Sequence, residues 1–381
     1  MNGNLAVVTT QLGASFVNRH VEDLAPGKTI AVARLGGHPL GGHWESPCPV
    51  MYLDRWALGL GVRMARRLGA SEASLRDAAV ARFLRQHGVT VVLGEFLDQF
   101  LDFVPLLDRM RMPYVVQSHG IDVSARLREP GMRSRYLAYS SARAILTRCE
   151  LHRRRLIDLG LPAAKIHVNH GGVFVPDQPV ERGLDAGKRL LALSRTDTKK
   201  GPIYLLEAFR RASLRDPDLT LDLVGDGPLL PAVRQFVDAF RLCDRVRLHG
   251  FVSGETKKRL LTECGVFVQH SITDPQTGDE EGLPAAIQEA MAAAMAVVST
   301  RHAGIPEAVE EGVTGLLVDE GDVDGMANAI LNVAPLAIEM GRQGHQRAVT
   351  KHAWRWERDR LLCWLSEGKL VGEGARIETV L

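Results

Sequence analysis

Two glutamates with seven residues between them, Glu281 and Glu289, bracket the run Gly282-Leu283-Pro284-Ala285. A carboxylate offers two acceptor oxygens, enough to hold a pair of vicinal hydroxyls. Two of them at this separation could grip two different sugar rings. Pro284 is expected in the first turn of a helix, where its missing N–H costs nothing. The amides of Gly282, Leu283 and Ala285 would then face an anion or a sugar oxygen. The same spacing also fits a loop carboxylate stabilised by a helix dipole, followed by an exposed helical glutamate. Arg195 and Lys200 share a second loop, and His119 stands with Gly120 and Asp122 after an apolar run. A histidine in that position is as readily a buried core group.

The elements that must position these residues follow from periodicity. Short β-branched runs alternate with longer amphipathic stretches, the pattern of parallel α/β units. In the first half the strands are expected at 5–9, 29–33, 89–93, 114–117, 144–147 and 165–168, with a helix over 101–110. In the second half they are expected at 189–193, 220–224, 245–248, 266–269, 296–299 and 315–318, with helices over 204–212, 229–241 and 284–294. The Gly/Pro-rich piece Gly171–Asp177 reads as a linker. The reading is an α/β chain of two facing, doubly wound Rossmann-like domains, residues 1–177 and 178–352. Residues 353–381, with Trp354, Trp356 and Trp364, would form a terminal helix bridging back to the first domain. Open α/β sheets bind ligands at the carboxyl ends of their strands, so the cleft between two such domains is the expected site.

Composition narrows the class. The 381 residues are too many for one ordinary core, and 45% hydrophobic with 24% charged residues is a globular profile. No apolar run reaches the roughly 18 residues that span a bilayer, and the first residues lack a secretory-signal pattern. Five scattered cysteines form no C-x-x-C pair, which suits free thiols in a reducing cytoplasm. The net charge of +2 hides a basic first half and an acidic second half. The basic half suits an anionic acceptor or peripheral contact with an anionic membrane face, and equally a set of solvated arginine-rich helices. Nothing in the pattern points to nucleic acid. Neither domain opens with G-x-G-x-x-G, which disfavours a dinucleotide dehydrogenase.

The stretch Glu281 to Glu289 resembles the E-x7-E motif of retaining glycosyltransferases of the GT-B fold, most closely glycosyltransferase family 4. Its flanks agree in order. Ser194-Arg195-x4-Lys200-Gly201 is similar to that family's phosphate-binding loop, and Val224-Gly225-Asp226-Gly227-Pro228 to its V-G-x-G-P turn. Val246-x-Leu248-x-Gly250-Phe251, Thr300-x-x-Ala303-Gly304-Ile305-Pro306-Glu307 and Gly312-x-Thr314-Gly315 follow. In the first half Gly13 resembles the loop glycine after the first strand, and His119-Gly120-Ile121-Asp122 the H-G-x-D loop. Departures are Ser194 in place of a common Gly, Thr147 in place of Ser, and Phe174 where the family carries an Asp. The segment Thr273-x4-Gly278-Asp279 is similar to members that build extracellular polysaccharide.

The resemblance implies a sugar transferred with retention from a UDP- or GDP-linked donor to a saccharide, lipid-linked or small-molecule hydroxyl acceptor. It places Glu289 on the nucleotide ribose, Glu281 on the transferred sugar, and His119 on the sugar or its phosphate. Gly13, Gly225, Gly282, Leu283 and Pro284 would line the donor. Arg195 and Lys200 would neutralise charge on the leaving diphosphate, as preorganised cations do best. No D-x-D pair stands at a strand end, so no metal or other cofactor is expected. A GT-B phosphorylase or a nucleotide-sugar epimerase shares the architecture and remains an alternative, as does a transferase acting on a natural product. The segment 38–55, with His43 and Trp44, could line an acceptor pocket or be a surface loop.

Overall fold

The computed structural model describes residues 3–12, 15–35, 46–57, 59, 63, 64, 67–69 and 71–366. Gly13, His43 and Trp44 lie outside them. The chain divides into two compact units. The first comprises 1–147, 153–168 and 358–381, and the second 148–152 and 169–357.

The first unit holds a seven-stranded parallel sheet. Its strands are β1 (Asn4–Gln11), β2 (Thr29–Leu35), β3 (Val50–Tyr52), β4 (Val89–Glu95), β5 (Tyr114–Gln117), β6 (Ala144–Thr147) and β7 (Ile166–Val168). Their order is β3-β2-β1-β4-β5-β6-β7. The second unit holds β8 (Arg189–Leu193), β9 (Thr220–Val224), β10 (Val246–Gly250), β11 (Val266–Val268), β12 (Ala296–Thr300) and β13 (Gly315–Val318). Their order is β10-β9-β8-β11-β12-β13, again parallel. Each sheet therefore reverses its winding at one point, between β1 and β4 or between β8 and β11. All the strands expected from periodicity are present. The three-residue edge strand β3 was not expected, because Val50-Met51-Tyr52 is too short to show a period.

The strands read as apolar runs because both faces of each sheet are covered. In β1, Ala6 and Val8 enter one core with Leu84, Phe100 and Tyr139, while Leu5 and Val7 enter another with Val21, Leu361 and Leu365. In the second unit, Leu190 and Ala192 of β8 pack with Phe209 and Val233, and Leu191 packs with Phe267 and Ile287. The expected helix over 101–110 is broken into Leu97–Phe100, a 3-10 turn Leu101–Phe103, and Val104–Met110, which Pro105 opens. The glycine-rich stretch at 171–177 is not a loose linker. Val173 pairs with Ala353, its N–H donating to the His352 carbonyl at 2.8 Å and its carbonyl accepting from Trp354 at 2.8 Å. Among the described residues no helix is long and apolar enough to cross a membrane.

Arg182, which no motif marks, secures the start of the second unit. Its guanidinium donates to the carbonyls of Cys264 at 2.8 Å, Ala294 at 2.9 Å and Leu261 at 2.5 Å. These carbonyls lie at the carboxyl ends of the helices Gly254–Glu263 and Ala285–Ala292, where backbone acceptors lack helical partners and a cation is favoured. Burial pushes the Arg182 guanidinium down to about 10, still charged at neutral pH. Arg182→Met should cost on the order of 3 kcal/mol in urea unfolding, and Arg182→Lys should recover less than half, since one ammonium cannot span three carbonyls.

Candidate active site

In the second unit the site is built where the sheet reverses. The loop after β8 carries Arg195, Lys199 and Lys200, and the loop after β11 carries Asp279, Glu280 and Glu281. The first loop is held against the turn after β9. Ser194 N–H donates to the Val224 carbonyl at 3.1 Å and Thr196 N–H to the Asp226 carbonyl at 3.0 Å. Gly225 has φ +144°, and a Cβ there would lie 1.7 Å from the Ser194 carbonyl oxygen. Gly225 is thus required for the two loops to meet, a packing role that does not need a donor contact. Gly201, at φ +54°, has the same logic: a Cβ would fall 2.1 Å from the His270 carbonyl oxygen. It lets the helix Pro202–Arg215 start directly behind Lys200.

Lys200 Nζ lies 2.9 Å from Glu281 Oε1, with both side chains largely buried. Lys199 Nζ lies 3.0 Å from Asp279 Oδ2 and 3.9 Å from the same Glu281 oxygen. Burial would raise the Glu281 carboxyl, but Lys200 and Lys199 outweigh it and hold the group below its usual value. Burial raises Asp279, with Lys199 opposing. Burial also opposes Lys199, yet Glu281 and Asp279 keep it above the ordinary lysine value. Arg195 is different: its side chain is 73% exposed, and its nearest carboxylate, Asp197, is 3.8 Å away. The structure therefore joins Lys200 to Glu281 and leaves Arg195 reaching into solvent.

Glu289 is not part of that cluster. It lies on the helix Ala285–Ala292 and pairs with Lys257 at 2.8 Å. Pro284 does not occupy the first helical turn as its sequence position suggested. It caps the helix in an extended conformation, φ −64° and ψ 120°, and the helix begins at Ala285. The Leu283 side chain is core, packed with Ile287 and Ala290, so only its backbone can meet a ligand. The amides of Gly282, Leu283 and Ala285 have no acceptor among the described residues. Gly282 offers its carbonyl to Gly304 N–H at 2.9 Å.

In the first unit, His119 follows β5 and sits against the end of β4. Its Nε2 is 2.6 Å from Glu95 Oε2, and the other oxygen of Glu95 is 2.7 Å from His20 Nδ1. Glu95 is fully buried, which raises its carboxyl, but the two imidazoles reverse this and hold it well below the carboxylate range. The rings of Phe16 and Phe96 lie 4.6 and 4.3 Å from the His119 ring. Asp122 gives the H-G-x-D run its physical reason. One carboxylate oxygen accepts from His119 N–H at 2.9 Å and Gly120 N–H at 3.0 Å, while the other accepts from Leu97 N–H at 2.9 Å.

Sequence reasoning missed Glu95, His20, Lys199, Asp279 as a lysine partner, Lys257 and His302. Two of these had a usable signal. Glu95 is a charged residue closing an otherwise apolar strand beside the reversal point, and Lys199 adjoins Lys200. The others are brought in by tertiary contact alone.

Residues 187–334 match the family described as glycosyl transferases group 1, which agrees with the family resemblance of the motifs over that segment. The chain is 33% identical over 220 residues to amylovoran biosynthesis glycosyltransferase AmsK of Erwinia amylovora, covering 57% of this chain and 54% of that protein. It is 30% identical to the GDP-mannose-dependent alpha-(1-6)-phosphatidylinositol monomannoside mannosyltransferase of Mycobacterium tuberculosis, covering 51% and 54%. The matched part thus spans about half the length of these curated relatives. The crystal structure of Anabaena HepE in complex with UDP and glucose superposes with a TM-score of 0.76 at 17% identity, over 95% of this chain and 99% of that one. The two-unit Rossmann-like architecture is the GT-B fold.

His270, beside Gly201, makes the second unit acid-sensitive. Its Nε2 accepts from Gly321 N–H at 2.9 Å, and burial lowers its imidazole to about 4 from an ordinary 6.5. A group depressed on folding contributes stability that is complete above its unfolded value and is lost as pH falls through its folded one. Unfolding free energy should therefore fall between pH 6.5 and about 4 on account of His270, and further below 4.5 as Glu281 is protonated. Denaturant titrations across this range should show a shallower upper slope in His270→Gln.

Proposed function

We propose that this chain is a retaining glycosyltransferase that moves a sugar from a nucleotide-diphosphate sugar to a hydroxyl acceptor without a metal ion. The observation that carries the reading is the Lys200–Glu281 pair at the reversal point of the second sheet, beside the open amides of Gly282, Leu283 and Ala285. Open α/β sheets take phosphate-bearing ligands at this place.

The chemistry follows from the charges. A donor diphosphate brings about two negative charges, and the C–O bond to the leaving phosphate breaks as its oxygen gains charge. Lys200 would share its ammonium between Glu281 and that oxygen. Arg195, exposed and bidentate, would close on the diphosphate from its loop. Those cations supply the role a divalent metal fills elsewhere. Glu281, held ionised by two lysines, is an acceptor only, suited to gripping sugar hydroxyls rather than donating a proton. Glu289 would hold the ribose hydroxyls, with Lys257 paired to its carboxylate at 2.8 Å. The acceptor hydroxyl would attack on the face from which the diphosphate leaves, and its proton would pass to the departing phosphate oxygen. Configuration is then retained without a protein nucleophile. His119, oriented by Glu95, would by the family resemblance contact the sugar or its phosphate.

The acceptor reading rests on the relatives. AmsK is named for amylovoran biosynthesis, and the mycobacterial protein for a phosphatidylinositol mannoside. A saccharide or lipid-linked hydroxyl fits both. The exposed Arg128, Arg133 and Arg135 of the first unit suit an anionic acceptor or an anionic membrane face. The donor base is drawn toward uridine by the UDP-bound structure and toward guanosine by the GDP-mannose-dependent relative.

Two measurements test this reading. With a chelator present throughout, Lys200→Ala should lower kcat on the order of 100-fold or more, and Glu281→Ala should raise the donor KM as well. Full transfer by both folded variants would exclude this site. In a thermal-shift screen, either UDP or GDP, but not both equally, should raise Tm, a ligand at a hundred times its Kd adding about 2.7 kcal/mol.

A further inference from the structure

His302 has no place in the motifs, yet it is the residue that holds Glu281 by its backbone. The Glu281 N–H donates to His302 Nε2 at 3.0 Å, and His302 Nδ1 lies 2.6 Å from Glu320 Oε1. An amide can only donate, so Nε2 must be the acceptor and the ring proton must sit on Nδ1, pointing at Glu320. One tautomer of the neutral ring satisfies both partners. The other oxygen of Glu320 accepts from Thr273 N–H at 2.7 Å, which ties down the start of the same loop. Gly304 N–H, two residues beyond His302, holds the Gly282 carbonyl at 2.9 Å. The turn that presents both contacts is tight: Ala303 adopts φ +44°, and His302 N–H folds back to the Thr300 carbonyl at 2.8 Å. His302 itself is 1% exposed. The carboxylate of Glu281 is thus fixed by lysines, and its main chain by an imidazole braced on a carboxylate.

We propose that His302 and Glu320 are positioning residues for Glu281, and that they set affinity for the sugar half of the donor while leaving the nucleotide half untouched. This inference rests on the reading of Glu281 as the hydroxyl-gripping residue. The nucleotide side has its own supports, Arg195, Glu289 and the amides of Leu283 and Ala285, none of which is hydrogen-bonded to His302 among the described residues.

The test is isothermal titration of the full chain with UDP, UDP-glucose, GDP and GDP-mannose, alongside His302→Asn, His302→Gln and Glu320→Ala. Asparagine keeps a donor near the Nδ1 position but loses the acceptor at Nε2; glutamine restores an acceptor there. His302→Asn should weaken the nucleotide-sugar about tenfold, a change of about 1.4 kcal/mol, while the matching free nucleotide stays within twofold. His302→Gln should return the nucleotide-sugar to within threefold of the wild type. If His302→Asn does not fold, Glu320→Ala carries the test, because that side chain is 35% exposed and its loss frees the ring without opening the core. Unchanged nucleotide-sugar affinity in the folded variant would overturn the inference, as would equal weakening of sugar-nucleotide and nucleotide that glutamine does not rescue. A wild-type chain that binds none of the four probes would overturn the transferase reading beneath it, a result separate from any variant.

Discussion

The second unit depends on keeping one buried carboxylate charged. Glu281 is removed from water, and an unpaired buried carboxylate would take up a proton or destabilise the fold by several kcal/mol. Lys200 at 2.9 Å and Lys199 at 3.9 Å prevent this. The arrangement also explains the geometry around it. The lysines come from the loop after β8 and the glutamate from the loop after β11, so both strands must end side by side, as they do at the reversal of the sheet. A structural ion pair would end there. This one stands next to open amides and an exposed arginine, so an incoming anion would find its partners already in place.

Close backbone approach is what allows those loops to converge. Gly225, Gly227 and Gly201 occupy positions where a Cβ would strike a carbonyl of the neighbouring loop at 2.8 Å or less. At two of them the obstructed atom belongs to the Ser194–Thr196 loop, at the third to His270. The signature glycines of the motifs thus serve loop-to-loop contact before any ligand is considered. Glu307 shows the same economy. Its two oxygens take the Glu150 N–H at 2.8 Å and the His170 ring at 2.7 Å, joining three separate passages of chain within the second unit.

The first unit repeats the logic with different residues. Glu95 also closes a strand beside the reversal point and is also buried, but imidazoles of His20 and His119 replace the lysines. Ring contacts from Phe16 and Phe96 enclose His119, so its imidazole is oriented from three sides. In both units a carboxylate that cannot reach water organises the nitrogen groups around it.

The sequence by itself determined the strand runs, the two doubly wound sheets and the loops in which Arg195, Lys200, His119 and Glu281 stand. It could do so because an apolar run buried on both faces and a glycine at a crowded turn leave local marks. It did not show that Pro284 caps the helix rather than entering it, because the ring fixes φ near the same value in both cases and only ψ, 120° here, separates them. Nor did it show that Glu289 pairs with Lys257 while Glu281 pairs with Lys200. The two glutamates look equivalent in a motif; one is on a loop and the other a turn into a helix, so they face different lysines. His302, Glu320 and Arg182 were invisible for a common reason. Each acts on a group distant in sequence, and long-range pairing of buried polar groups leaves no periodicity to read. The chain order dictated which elements form, and only their packing decided which nitrogen meets which carboxylate.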